Sequence, residues 1–451
     1  MTKIQVFLHI LVIIVSALAT CTCGEDTNFV FSIPYSKFYV TPEEPSHVLI
    51  STSSLVPINT TLTIPGAQYQ VNNTISRDHP VDITLSIDEV GIDIRLNSGD
   101  PKNKTVHVQT SGESSVFVLG NEYAGGDAYL IYSTSQLGTQ YYIASYKPIN
   151  DPRFPSFFCI SSVYPNTSIN ITTPTEQPRQ ISLAQFESYR FDDVDEDLSG
   201  TFVQSNKPIA VISGVLTRAP EDKCCLDVLI EQLPPVHSWG YQFTLTPFLS
   251  LNSGYLYRVF TTIYSATLYM SDGSTTHIPT ESLYEEDVTG DTVVSFTSDQ
   301  PVMVVQYMKG TFANTPPRGD PSMLIVTPIT SFTANVTFPV FEYANTSTNT
   351  YYINVIIECD YFDGVLLNET PFMSSDVLHT SDNSTCCLRS NVSAGYYTVS
   401  HAYPMAKLSV IVYAVGESGG ERAGLFFSYA YAANPLGFAG EHLIISQKVT
   451  I

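Results

Sequence analysis

Three stretches of this chain share one frame: GDAYLIYSTSQLGTQYYIAS (126–145), LDVLIEQLPPVHSWGYQFTL (226–245) and GDPSMLIVTPITSFTANVTF (319–338). Each places an aspartate (Asp127, Asp227, Asp320) before an apolar strand, a turn and a second strand of alternating apolar and aromatic residues. A degenerate copy, AGLFFSYAYAANPLGFAGEHLII, starts at Ala423. A strand–turn–strand motif precedes each: KTVHVQTSGESSVFVLG, GTFVQSNKPIAVISG, DTVVSFTSDQPVMVVQYMKG and YYTVSHAYPMAKLSVIVYAVG. The acidic lead-ins EDLSG (196–200) and EDVTG (286–290) match as well. The period of roughly 90–110 residues exceeds that of solenoids and propeller blades. Each period holds seven or eight candidate strands punctuated by Gly, Pro, Asn and Asp, the spacing of a β-sandwich.

The chain is therefore expected to be all-β, a tandem array of about four β-sandwich-like units. A closed ring of large β blades is the alternative. The boundaries fall at 24–126, 127–226, 227–319 and 320–422, with closing strands over 423–451. The first unit starts on its second-strand motif, NFVFSIP, so the opening strand of each sandwich is expected from the preceding unit. The 28 Tyr and 24 Phe suit half-buried pleated surfaces.

The chain opens with Lys3, an apolar run and Ala17-Leu18-Ala19, which reads as a secretory signal peptide over 1–23, cleaved after residue 19 or 23. The run is shorter than the roughly 20 residues of a membrane span, and no later stretch is long enough. Ten sequons, at Asn59, Asn72, Asn103, Asn166, Asn170, Asn335, Asn345, Asn368, Asn383 and Asn391, fit a secreted glycoprotein. None lies between Asn170 and Asn335, so that span is either a surface kept clear of sugar or an accident of composition. A net charge of −23 repels nucleic acid and anionic membranes.

Eight cysteines are present, Cys21 and Cys23 near the signal peptide and six beyond it. An even count in a secreted chain reads as disulfides. Cys159 and Cys359 occupy equivalent strands about two periods apart, and each is followed by a pair, Cys224-Cys225 and Cys386-Cys387. One bond from each strand cysteine to its downstream pair is expected. Zinc has little support, because no C-x-x-C occurs and the nine His are scattered.

The stretch CCLDVLIEQLPPVHSWG (224–240) collects two cysteines, two acids, a histidine and the only tryptophan. It has the composition of an active site, yet the other copies lack His237 and Trp239 and keep the frame. It reads as a joint between units: Asp227 a turn or cap residue, Pro234-Pro235 setting the turn, and Trp239 packed on the apolar face of the next strand, with Phe243 and Leu245.

Two ligand motifs compete with plain loops. Asp193, Asp195 and Asp197 alternate as calcium ligands would, although Leu198 and Gln204 stand where an EF-hand wants Gly and Glu. The tripeptide Arg318-Gly319-Asp320 on a Pro-rich loop would offer a cation and a carboxylate to a receptor. GxGxxG, P-loop and HExxH motifs are absent, so no cofactor is expected beyond that calcium.

The ordered series DLSGTFVQSNKPIAVISG, CLDVLIEQLPPVHSWGYQF, GYLYRV, PVMVVQYMKG and DPSMLIVTP resembles the N-terminal domain of the IgG Fc-binding protein family. The resemblance is strongest from about Asp127 to Thr327. It implies a secreted, non-enzymatic protein of mucus and extracellular matrices, with an extracellular glycoprotein, mucin or matrix protein as partner. Large members add cysteine-dense von Willebrand D-type domains. These 451 residues, with eight cysteines, show none, so immunoglobulin Fc binding is not carried over. The expectation is a secreted, glycosylated binding or adhesion protein. The alternative is a structural component of mucus or matrix without a discrete ligand.

Overall fold

A computed structural model describes residues 27–34, 46–85, 103–122, 125–220, 226–310, 314, 319–342, 346–374, 376–403, 405–418 and 426–436. The signal segment, Cys21, Cys23, Cys224, Cys225, Arg318 and Asn345 lie outside these. The regular structure of the described chain is nearly all β, with only short 3₁₀ turns besides, and no described helix is long and apolar enough to cross a membrane.

The strands fall into four units of one design. Unit 1 holds β1 (Asn28–Phe31), β2 (Ser46–Ser51), β3 (Ile58–Ile64), β4 (Tyr69–Ile75), β5 (Val81–Leu85), β6 (Val106–Thr110), β7 (Ser115–Glu122) and β8 (Gly125–Ile131). They form a cover sheet, β1-β6-β3-β4, and an inner sheet, β5-β2-β7-β8. Unit 2 holds β9 (Gly138–Tyr142), β10 (Ser156–Ser162), β11 (Thr167–Thr172), β12 (Arg179–Leu183), β13 (Ser188–Asp193), β14 (Phe202–Arg218) and β15 (Asp227–Gln232). Unit 3 holds β16 (Gly240–Leu245), β17 (Tyr255–Phe260), β18 (Ala266–Met270), β19 (Thr275–Ile278), β20 (Leu283–Val288), β21 (Val294–Met308) and β22 (Ser322–Ile325). Unit 4 holds β23 (Asn335–Val340), β24 (Thr346–Glu358), β25 (Val365–Leu367), β26 (Thr370–Pro371), β27 (Asp376–His379), β28 (Thr385–Val392), β29 (Gly395–His401), β30 (Leu408–Ser418) and β31 (Phe426–Ala432).

In units 2 and 3 the strand–turn–strand motif is a single long strand. β14 pairs with β9 and β11 along its first half and with β10 and β15 along its second. A register shift between Gln204 and Ile209 lets it cross from one sheet to the other, as a bulge does. β21 does the same with β16 and β18, then β17 and β22.

Hydrogen bonding moves the expected boundaries by one strand. β8, β15, β22 and β31 carry the aspartate frame, and each closes its own unit by pairing with the strand before it. The opening strand is likewise each unit's own: β1 pairs β6.

Both sequence expectations hold in part, because the sandwiches are tandem and the ring is closed. The core of unit 1 includes Phe157, Ile212 and Ile230 of unit 2. The core of unit 2 includes Leu256, Met303 and Met323 of unit 3. The core of unit 3 includes Tyr352, Ile411 and Tyr413 of unit 4, and that of unit 4 includes Leu49, Phe117 and Leu130 of unit 1. Each inner sheet is thus a wall shared by two cores. This explains why β10, β15 and β17 are buried at every position, against the alternation of a half-solvated strand. β8, β15, β22 and β31 meet around one axis, each touching its two sequential neighbours in the ring, and β8 also touches β22 across it.

Candidate functional site: the ring axis, the joints and the open face of unit 3

The axis is tied by side chains rather than by a continuous sheet. Asp127 is fully buried; its carboxylate accepts from Ser322 Oγ at 2.6 Å and from the backbone N–H groups of Ala128, Met323 and Ala430 at 3.0, 3.1 and 3.3 Å. One side chain of unit 1 therefore holds units 3 and 4. Asp227 accepts from Gly126 N at 3.1 Å and Val228 N at 2.7 Å, joining unit 2 to unit 1. Glu231 accepts from Ile325 N at 3.4 Å, and Gln232 Oε1 from Tyr132 N at 2.9 Å. Burial lifts Asp127 to about 8 even against its four donors. Burial, then the nearby Asp127 charge, raises Glu231.

Asp127 and Asp227 are thus interior ties between units, not turn caps. No extended substrate fits here. The cleft at one end of the axis, lined by Tyr132, Glu231, Trp239 and Asn434, encloses about 20 Å³, room for one water.

Of the receptor tripeptide, Gly319 and Asp320 belong to this interior. Asp320 is buried and its N–H donates to Ser428 Oγ at 2.7 Å. Gly319 has φ +65°, and a Cβ there would come within 2.8 Å of Ser428 Oγ and 2.9 Å of Val415 Cγ1. The glycine is required by that backbone and that contact, so the pair is not presented to a receptor.

The acidic loop is an ionic joint rather than a calcium cradle. Asp193 accepts from the N–H groups of Asp195 and Glu196, both at 2.9 Å. Asp197 turns to Arg258 of unit 3 (2.9 Å). Arg258 also donates to Glu285 (2.6 Å) and Ser145 O (2.9 Å), with its guanidinium 3.9 Å from the Tyr146 ring centroid. The following joint repeats the idea: Asp291 of unit 3 accepts from Arg389 of unit 4 at 2.8 Å. Among the described residues no acidic triad converges as metal ligands would; the group that does is Cys359, His379 and Cys386.

Trp239 is buried and its Nε1 donates to Pro234 O at 3.3 Å. Its partner differs from the expectation. The indole turns back to unit 2, 5.8 Å from the Tyr142 ring, within the core of that unit, while Phe243 and Leu245 fill the core of unit 3. A wall with two cores leaves no bare face for the indole to cover.

Of the two expected disulfides, Cys359–Cys386 is formed. Cys159 is a buried free thiol, as is Cys387. Cys159 pairs with Ile212 in mid-sheet, and its expected partners Cys224 and Cys225 lie outside the described residues.

Gly416–Gly420 fits the G-x-S-x-G spacing of a nucleophile elbow. Here Gly416 and Glu417 pair with Phe427 and Phe426 of antiparallel β31, whereas an elbow turns from strand into helix.

Every sequon asparagine among the described residues is exposed. Their distribution follows the repeat. Across the cover sheet of unit 2, Gln180, Asn170, Gln204 and Gln140 stand directly opposite one another. The corresponding row of unit 1 is Asn72, Thr61, Gln109 and Asn28, and in unit 4 a row of this sheet ends in Asn335. Unit 3 has Thr275, Tyr269, Thr297 and Gln242, all exposed. Tyr269 holds the place of the Asn170 sequon. Tyr241, Ile263 and Tyr264 of the same unit are, like it, about half exposed or more.

Four two-layer units closed on themselves define a repeat-built all-β domain of the binding type, held by buried carboxylates and ion-paired joints. The chain belongs to the IgGFc-binding protein family, whose model matches residues 127–414. The match begins at Asp127, the residue that ties three units together. No curated protein matches the chain.

Proposed function

We propose that this protein is a secreted, glycosylated, non-enzymatic binding module that recognises an extracellular glycoprotein or matrix partner through the cover sheet of unit 3. The observation that carries this reading is the exchange of the Asn170 sequon for Tyr269 at the equivalent place of unit 3. Sugars at Asn72, Asn170 and Asn335 would cover the rows of units 1, 2 and 4, and unit 3 has no sequon. Tyrosine supplies large, amphipathic contact area at low entropic cost, and uncharged aromatic faces are what interface centres favour.

Gln242→Asn tests this directly, because Phe243 and Thr244 complete a new sequon on the exposed row. Capture from mucus or matrix extract, with immunoglobulin Fc as one defined ligand in view of the family name, is expected to give a saturable partner for the wild type. The added glycan abolishes binding while secretion continues. Equal binding with the glycan verified by mass refutes the assignment of the face. Self-association as the sole result points instead to a structural component of mucus or matrix.

A further inference from the structure

The corner of unit 4 that carries the disulfide also carries a third ligand atom. β27, β28 and β24 are adjacent strands, with His379 directly opposite Cys386 and Cys386 opposite Ile357. Cys359 follows the end of β24. His379 Nδ1 lies 3.3 Å from Cys386 Sγ and 3.6 Å from Cys359 Sγ.

A tetrahedral zinc, with Zn–S of about 2.3 Å and Zn–N of about 2.0 Å, sets sulfur and nitrogen about 3.5 Å apart and two sulfurs about 3.7 Å apart. Both nitrogen–sulfur edges of that tetrahedron are therefore already in place. Only the two sulfurs must separate. The cysteines would stay in place without their bond, because β24 and β28 are paired from Tyr351 to Glu358. His379 is exposed and Cys359 half-buried, so water and metal reach the site from outside.

We propose that reduction of Cys359–Cys386 converts this corner into a zinc site, with two thiolates and His379 Nδ1 as ligands and water in the fourth position. A dithiol supplies two electrons and two protons. The S–S bond breaks, both sulfurs become thiols, and the dithiol leaves as its own disulfide. Zinc then displaces the two thiol protons to solvent. Two sulfurs and an imidazole select zinc over magnesium or calcium, which take oxygen. The oxidised and metal-bound forms exclude each other, because the disulfide sulfurs are neutral and only the two thiolates that reduction releases bind zinc strongly.

The test uses the full chain, reduced with a dithiol under argon and desalted, with cobalt(II) as the optical probe. One equivalent is expected to give thiolate-to-cobalt charge transfer and tetrahedral visible bands, bleached by zinc. The oxidised protein and Cys359→Ser give neither. His379→Ala weakens binding by roughly tenfold or more through loss of one of three ligands. Cys224→Ser/Cys225→Ser leaves the bands intact. Bands that persist in Cys359→Ser, or a cobalt affinity that is unchanged in His379→Ala, overturn the proposal. So does their absence from a reduced wild type whose opened bond is confirmed by mass and whose circular dichroism is native. A reduced chain that loses its β signal overturns it as well, because the site needs the β27–β28–β24 register.

Discussion

Trp239→Ala measures how tightly the ring is coupled. The indole is 2% exposed and packed into the core of unit 2 from the link to unit 3. Truncating a buried aromatic to alanine costs about 3–5 kcal/mol, and the lost Nε1 bond lies within that range. How this appears in Tm depends on the size of the cooperative block. At about 2.1 cal/mol/K per residue, a block of about 400 residues has an unfolding entropy near 0.8 kcal/mol/K. A loss of about 4 kcal/mol then lowers Tm by about 5 °C. A single unit of about 95 residues unfolding alone would drop by about 20 °C. Shared walls predict the small shift, in one calorimetric transition. Calorimetry of both proteins gives the answer, and a blue-shifted, quencher-resistant emission from the lone wild-type tryptophan confirms the burial. An unchanged Tm and normal secretion would refute the packing argument. Two separated transitions in the variant would refute the closed ring.

Stability should fall as pH rises from about 4 to about 8. Asp127 keeps its proton in the folded chain to about pH 8, while the unfolded chain loses it near the ordinary carboxylate value. The unfolded state then binds fewer protons, the slope of stability with pH is negative, and Glu231 acts in the same direction. Each group contributes at most about 1.4 kcal/mol per pH unit. Glu231→Gln should flatten the Tm–pH curve, and an unchanged slope would show that Glu231 holds no proton. Arg258→Met should cost about 3 kcal/mol by leaving Asp197 and Glu285 without their cation; a Tm within error of the wild type would mean that solvent replaces the joint. Alkylation with peptide mapping should find Cys359 joined to Cys386, and Cys159 and Cys387 labelled only after denaturation. Labelling of either in the folded protein would contradict their burial. Cys386→Ser should cost about 2–4 kcal/mol through the lost cross-link, read by chemical denaturation.

The repeat was legible because its signals are local. Asp127, Asp227 and Asp320, the apolar run after each and the turn beyond are contiguous in sequence, and so are the hairpin motifs within β14 and β21. What the aspartates bond to was not legible. Asp127 meets Ser322 and Ala430, far away in sequence, and nothing in its neighbours distinguishes an interior tie from a turn cap. The same holds for Asp197, whose alternation with Asp193 and Asp195 imitates a calcium loop until Arg258 is placed beside it. The bond from Cys359 to the Cys386-Cys387 pair is legible because their strands are neighbours, but which member takes it is not. Cys159 is a free thiol despite its analogy with Cys359, because equivalent strands do not carry equivalent partners. His379 is invisible as a ligand in the sequence, since only the register of β27 on β28 puts it beside the sulfurs. The tyrosine face came half into view: the sequon-free span was countable, but the matching of Tyr269 to Asn170 required the cover-sheet rows.

The bond from Ala430 N to Asp127 closes the ring across 303 residues. On a ribosome adding about 5–20 residues per second, unit 1 waits roughly 15–60 s for the partner of β8 to be made. During that time the outer wall of its inner sheet, including Leu49, Phe117 and Leu130, has no unit 4 to cover it. Folding of this chain therefore calls for an escort that shields a newborn apolar sheet until the last hairpin arrives. A lesion in unit 4 should show itself as a first unit trapped on that escort.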